Sequence, residues 1–258
     1  MNKFYITTPI YYVNDKPHIG HAYTTILADV IARYNRLQNK NVFFLTGLDE
    51  HGQKVQEAAK KIGLDPKTHC DNMAPRFKNL WNKLNISNDG FIRTTNLNHI
   101  KVVKEILKLV YKNGDIYKNV YEGLYSISEE RFITEKEADS GDFRDIKKLK
   151  ETNYFFKMSK YQDKLIKHIN ENPLFIQPEY RKNEILGFLK NPLNDLCISR
   201  PKKRFDWGID LPFDDNYVTY VWFDALINYI SGIGYNADSK SFENFWPCDI
   251  HFIGKDIL

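Results

Sequence analysis

The first fifty residues constrain the fold more than any other stretch of the chain. Residues 3–10 (KFYITTPI) are rich in β-branched and aromatic side chains, the texture of a buried strand. A turn-like stretch follows, Asn14-Asp15-Lys16-Pro17. From His21 the pattern becomes helical, with Ile26, Leu27, Val30, Ile31 and Tyr34 recurring at helical spacing up to about Gln38. A second apolar run, residues 41–46, ends in Gly47 and reads as another buried strand. Strand, helix, strand is the βαβ unit of a parallel sheet, whose ligand crevice lies at the carboxyl ends of the strands.

Further along, residues 54–62 and 98–113 read as helices and residues 89–95 as a strand. From about Tyr117 to Asp214 the texture changes to short strands, turns and a few amphipathic helices. Residues 217–223 and 251–254 resume short apolar strands. The expected fold is therefore α/β, a doubly wound parallel sheet interrupted by a smaller inserted domain. Its boundaries are drawn at 1–116 for the first half of the core, 117–214 for the insertion and 215–258 for the start of the second half. A parallel sheet normally continues from strand into helix, and no helix follows residues 251–254. The chain is accordingly expected to be truncated.

Composition narrows the classes. A 42% hydrophobic and 27% charged chain of 258 residues is an ordinary globular protein, not a disordered one. The formal charge of +4 permits a nucleic-acid partner without demanding one. Cys70, Cys197 and Cys248 are odd in number and far apart, so neither a disulfide framework nor a zinc pair follows, and a reducing cytoplasmic location is expected. No apolar run approaches a membrane span or a signal peptide, so no membrane partner is expected.

Chemistry concentrates first at Pro17-His18-Ile19-Gly20-His21. Two histidines three apart at the head of a helix share a face, and the glycine between them lets a ligand approach the backbone. The free N–H groups and partial positive charge there suit an anion, and imidazole donors suit the phosphates of ATP. The rival reading is a helix cap with two surface histidines. A second constellation, Thr46-Gly47-Leu48-Asp49-Glu50-His51-Gly52, ends the second strand, where acidic residues face the crevice and a carboxylate can pair with a substrate ammonium. A third, residues 220–229 (YVWFDALINY), spaces Trp222, Ala225 and Tyr229 so that they can share a helical face. Such a stripe is either core or an aromatic wall for a flexible apolar ligand. A fourth, Phe252-Ile253-Gly254-Lys255-Asp256-Ile257, is a glycine turn after a strand, with an aspartate able to accept ribose hydroxyls.

Pro17–His21 resembles the signature of class I aminoacyl-tRNA synthetases, and the flanking T-P-I-Y-Y-V-N resembles the methionyl enzymes, with similarity over essentially the whole chain. The resemblance implies a Rossmann-like core with a connective-peptide insertion. It also implies ATP-dependent activation of L-methionine and transfer to tRNA(Met), with Mg2+ accompanying ATP. It assigns His18, His21 and Arg200 to catalysis, the last within Leu196-Cys197-Ile198-Ser199-Arg200-Pro201. ATP falls to His18, Gly20, His21, Gly254 and Asp256. Methionine falls to Ile10, Tyr12, Asp49, Trp222, Ala225, Tyr229 and Ile257, with Asp49 on the α-amino group.

Two departures qualify the pattern. Lys157-Met158-Ser159-Lys160 spells most of the family's second signature, K-M-S-K-S, but Tyr161 follows it and it lies within the expected insertion. Ser159 and Gln162 are expected instead to form a capping box, and the true loop is expected beyond Leu258. Many methionyl enzymes carry a zinc knuckle in a segment like residues 125–132; Ser126 and Glu129 stand where cysteines belong, so no structural zinc is expected. The rivals are a class I synthetase for an aliphatic amino acid, a smaller nucleotidyltransferase, and a fragment that binds methionine without activating it. The missing editing insertion, the aromatic wall and the long insertion weigh against the first two.

Overall fold

The computed structural model describes residues 2–127, 131–133, 135–142, 145–204 and 206–254. The chain forms two units. One joins Met1–Leu107 to Arg200–Ile257, and the other is Lys108–Ser199.

In chain order the elements are β1 (Lys3–Thr7), β2 (Tyr11–Tyr12), α1 (Ile19–Leu37), β3 (Asn41–Asp49), α2 (Gln53–Lys61), α3 (Pro66–Lys83), β4 (Gly90–Arg93) and α4 (Leu97–Lys112). The second unit carries β5 (Ile116–Ser126), β6 (Arg131–Ile133), α5 (Glu135–Asp139), β7 (Ile146–Phe156), a 3-10 turn (Met158–Tyr161), α6 (Gln162–Glu171), α7 (Glu179–Phe188) and β8 (Leu196–Cys197). The chain returns through β9 (Ser199–Pro201), β10 (Asp210–Leu211), β11 (Asp214–Thr219), α8 (Val221–Leu226), α9 (Asn228–Ser231), α10 (Ser239–Phe245) and β12 (Ile250–His251).

The first unit is built on a parallel sheet. β1 lies between β12 and β3, and β3 also pairs with β4 and, at its far end, with β2. Alternation along β1 sends Phe4 and Ile6 to one face and Tyr5 to the other. Phe4 and Ile6 join Val42, Phe44, Ala28 and Ala32, while Tyr5 joins Leu45 and Ile233.

β3 runs three residues beyond the expected end at Thr46 and carries Asp49 out to the sheet edge. Gly47 does not stop the strand; it lets β4 come close. A methyl group there would overlap the Ile92 carbonyl and side chain.

α1 begins at Ile19 and ends at Leu37, close to its expected span. It presents its small residues to the sheet: Ala28 and Ala32 are fully buried. Of the residues whose spacing announces the helix, Ile26, Leu27, Val30 and Tyr34 are exposed. Close helix–sheet packing selects alanine at the contact and turns the bulky side chains outward.

α3 is an eighteen-residue helix where the sequence reading placed none. Asp65 caps it, accepting from the Thr68 amide at 3.0 Å, and Pro66 occupies the first turn, where no N–H is needed. Cys70, Met73, Ala74, Phe77 and Trp81 pack as one stripe against Tyr11, Val13, Leu48 and Val55. The expected strand at 217–223 is another correction. β11 stops at Thr219, and Val221 opens α8.

The second unit is built on antiparallel strands. β5 and β7 pair without interruption from Ile116↔Phe156 to Ser126↔Ile146, with β6 beside β5 and β8 beside β7. The near-signature at residues 157–160 sits in the 3-10 turn, and its role differs from the expected capping box. The Ser159 hydroxyl donates to Asp195 at 2.7 Å, and no side chain accepts from the first amides of α6 as a cap. Gln162 donates to the carbonyls of Leu189 and Asn191. Lys160 and Tyr161 converge on Asp115 at 2.5 and 2.6 Å. The tetrapeptide is tied down, with long-range partners replacing the local cap.

Candidate active site

The loop from Asn14 to Pro17 delivers His18 to the N-cap of α1. The Gly20 amide donates to His18 Nδ1 at 3.1 Å, and the His18 amide donates to His21 Nδ1 at 3.2 Å. The two rings stack with centroids 3.8 Å apart. Gly20 makes this fold-over possible, since a Cβ there would lie 3.0 Å from His18 Cε1. The cap and the paired histidines are thus one feature. Burial, then the neighbouring His18, pushes the His21 imidazole down to about 4. It is neutral at pH 7 and able to accept.

Tyr11 links this helix head to the end of β3. Its ring lies 4.7 Å from His21, its hydroxyl meets Thr25 at 2.7 Å, and its backbone pairs with Leu48. The next residue, Tyr12, pairs with Asp49. Ile10 and Tyr12 are half-buried just past β1, beside the half-buried Asp49.

Asp49-Glu50-His51 sends its three side chains to three different tasks. Glu50 does not face the crevice: it is fully buried, paired with Arg93 at 2.6 Å and bonded to Thr95. His51 turns to Asp224, its Nδ1–H donating at 2.9 Å. Asp49 is left as the carboxylate at the strand's end, close enough to Tyr229 to act on its phenol electrostatically.

α8 and α9 supply the facing wall. Trp222, on α8, is 39% exposed, whereas Ala225 is buried and Tyr229, on α9, half-buried. The Tyr229 carbonyl accepts from the Tyr5 hydroxyl at 2.7 Å, and its ring lies 4.6 Å from that of His251. Burial above all raises the Tyr229 phenol to about 12, so it remains a hydroxyl. The Thr7 hydroxyl and His251 Nδ1 are 2.7 Å apart. Tyr5, Thr7, Tyr12, Asp49 and Tyr229 therefore converge at the carboxyl ends of β1 and β3.

The remaining expected residues are less open. Arg200 is 1% exposed, with its guanidinium 4.3 Å over the Tyr220 ring. Gly254 is exposed beyond β12, and Asp256 and Ile257 lie outside the described residues. Among the described residues no cluster of three or more His, Cys, Asp or Glu side chains suits a metal. Glu129 lies outside them, and Ser126 is buried in β5. No described helix is long and apolar enough to cross a membrane. A cavity of about 650 Å³ adjoins the loop before His18, and Lys16, Lys61 and Arg76 give it positive charge against Asp15 and Glu57. The roles of Tyr11, His51 and His251 were not read from the sequence. A two-residue alternation after Gly47 would have suggested that Glu50 turns away; nothing local announces His51–Asp224.

The family described as tRNA synthetases class I (M) matches residues 4–141 and 142–258. The methionine–tRNA ligase of Clostridium tetani is 56% identical, aligned over all of this chain and 41% of its own length. That of Thermotoga maritima is 51% identical, over 99% of this chain and 42% of its own. Among solved structures, Mycobacterium tuberculosis methionyl-tRNA synthetase in complex with methionyl-adenylate superposes with a TM-score of 0.94 at 43% identity, covering 99% of this chain and 52% of that one. The apo form of the same synthetase gives 0.83 at 41% identity. The chain thus spans about two fifths of the length of the curated relatives it matches.

Proposed function

The chain belongs to the class I tRNA synthetases of the methionine group, and from that premise we propose that it carries the methionine- and ATP-binding part of a methionine–tRNA ligase. In that reaction the methionine carboxylate attacks the α-phosphate of ATP, forming methionyl adenylate and releasing pyrophosphate. The acyl group then passes to the 3′-terminal adenosine of tRNA(Met). Mg2+ enters with the nucleotide, bound to its phosphates.

The observation that carries this reading is the convergence of Asp49, Tyr12 and Tyr229 at the ends of β1 and β3, linked through Tyr11 to the paired histidines heading α1. A carboxylate there suits an α-ammonium, and an aromatic wall suits a thioether chain. The exposed helix head with two imidazoles suits phosphates. In this reading His18, Gly20 and His21 meet ATP, Gly254 and Asp256 hold its ribose, and Ile10, Tyr12, Asp49, Trp222, Ala225, Tyr229 and Ile257 enclose methionine. Arg200, buried over the Tyr220 ring, is assigned to the neighbourhood of the pyrophosphate. The second unit, Lys108–Ser199, serves as the connective-peptide insertion, which needs no zinc.

Methionine-dependent exchange of labelled pyrophosphate into ATP tests the proposal. Exchange with methionine, and not with leucine or valine, is the expected result; exchange with leucine or valine alone overturns the specificity. Methionine binding without exchange identifies a chain that binds methionine without activating it.

A further inference from the structure

Asp224 is a fully enclosed charge of the first unit. It sits on α8 with no exposed surface, and each of its oxygens meets a different histidine. His51 Nδ1 donates to Oδ2 at 2.9 Å, and His99 Nε2 donates to Oδ1 at 3.3 Å. The far nitrogen of His99, Nδ1, takes the Ser231 hydroxyl at 2.8 Å. Burial opposes ionisation of this carboxyl, but the two imidazoles outweigh it and hold it below the usual carboxylate range. A carboxylate only accepts, so both facing nitrogens carry protons.

The four residues come from three helices and the loop after β3. His51 follows Asp49 by two residues at the end of β3, and His99 lies on α4. Asp224 shares α8 with Trp222 and Ala225; Ser231 shares α9 with Tyr229. The chain of bonds therefore grips α8 and α9 on either side of Tyr229 and fastens both to the strand end that carries Asp49. The anchor is itself held. His51 lies 5.4 Å from the Trp207 ring, whose indole N–H donates to the Glu50 carbonyl, and Glu50 is paired with Arg93. Apolar contacts alone would let α8 roll about its axis; two directional bonds to one carboxylate fix its rotation.

We propose that Asp224 is a positioning residue, which through His51 and His99 keeps the wall bearing Trp222, Ala225 and Tyr229 in register with Asp49. It touches no substrate. The inference rests on the methionine reading above for the identity of the ligand, but not for the geometry it fixes.

Asp224→Asn is the informative variant because it keeps the volume and changes the donors. An amide offers one acceptor and one donor, so one of the two imidazoles must present a lone pair and change tautomer. Imidazole nitrogen resonances are expected to show His51 protonated on Nδ1 and His99 on Nε2 in the parent chain, with one of them inverted in the variant. Methionine affinity is expected to fall about tenfold or more while ATP affinity stays within about twofold. Unchanged methionine affinity overturns the proposal. So does equal loss of both ligands together with a lowered Tm, which marks Asp224 as a folding residue only. If the parent chain binds no methionine, the ligand reading fails, and the Trp222 indole resonance decides the positioning claim. Displacement of that resonance in Asp224→Asn supports it; an unmoved resonance overturns it. Should Asp224→Asn not fold, Ser231→Ala frees the outer nitrogen of His99, and with it the long contact to the Asn228 carbonyl, while leaving both bonds to Asp224 in place. It is expected to weaken methionine, and not ATP, by a smaller factor, and no change there also overturns the proposal.

Discussion

Only the neutral imidazole of His21 can accept a hydrogen bond from the His18 amide, and the fold keeps it neutral. Its folded value of about 4 lies below the ordinary value of 6.5, so between those limits the unfolded chain binds the proton that the folded chain refuses. The stabilisation is therefore complete above about 6.5 and is lost as pH falls towards 4. A histidine titration by NMR is expected to place His21 near 4, and a midpoint near 6.5 would mean that the cap is open in solution. The motif itself was plain in the sequence, as two histidines and a glycine before a helix. Its reciprocal capping was only half legible, because spacing reveals neither ring stacking nor which nitrogen accepts. The place of Asp49 was legible for a better reason: the last residue of a strand in a parallel sheet stands beside the crevice. Glu50 was misread along with it, because its partner Arg93 is forty-three positions away.

At the scale of elements, periodicity found α1 but not how it sits. Ile26, Leu27, Val30 and Tyr34 mark the helix, yet Ala28 and Ala32 meet the sheet, since the narrow gap above Phe4, Ile6, Val42 and Phe44 admits only small side chains. Ala32→Leu is expected to lower stability by about 1–3 kcal/mol, while Val30→Gln, at a position 59% exposed, leaves it within about 0.5 kcal/mol. Denaturant midpoints decide between the two faces, and the opposite order would mean that α1 is rotated from this description. α3 was missed although its signals are present: Asp65-Pro66 at its start, then apolar residues at helical spacing from Cys70 to Trp81. Pro75, inside that stretch, is the usual mark of a helix end and hides the pattern. β3 was cut short for a similar reason, because a glycine after an apolar run reads as a turn. Here Gly47 marks the close approach of β4, and Gly47→Ala is expected to cost about 1–3 kcal/mol in chemical unfolding. A neutral result would show that β3 and β4 can move apart without loss.

For the whole molecule, the sequence conveyed the plan of the fold. A change of texture near Tyr117 and a return of apolar strands near Tyr217 suffice to suggest an interrupted parallel sheet. Strand order and the partners of buried charges depend on contacts that no local pattern encodes. Each unit has buried apolar residues of its own. Phe77 is enclosed with Trp81, Tyr11 and Leu48 in the first, and Phe155 is buried with Ile116, Ile169 and Ile198 in the second. Truncating either phenylalanine to alanine removes about 3–5 kcal/mol of packing at its own site. Residue-resolved hydrogen exchange then reads how far each loss spreads. Phe77→Ala is expected to deprotect amides of Met1–Leu107 and Arg200–Ile257, and Phe155→Ala those of Lys108–Ser199, each leaving the other set close to the parent. If either substitution deprotects both sets equally, the two units unfold as one cooperative body, and the insertion belongs to the same folding unit as the sheet that it interrupts.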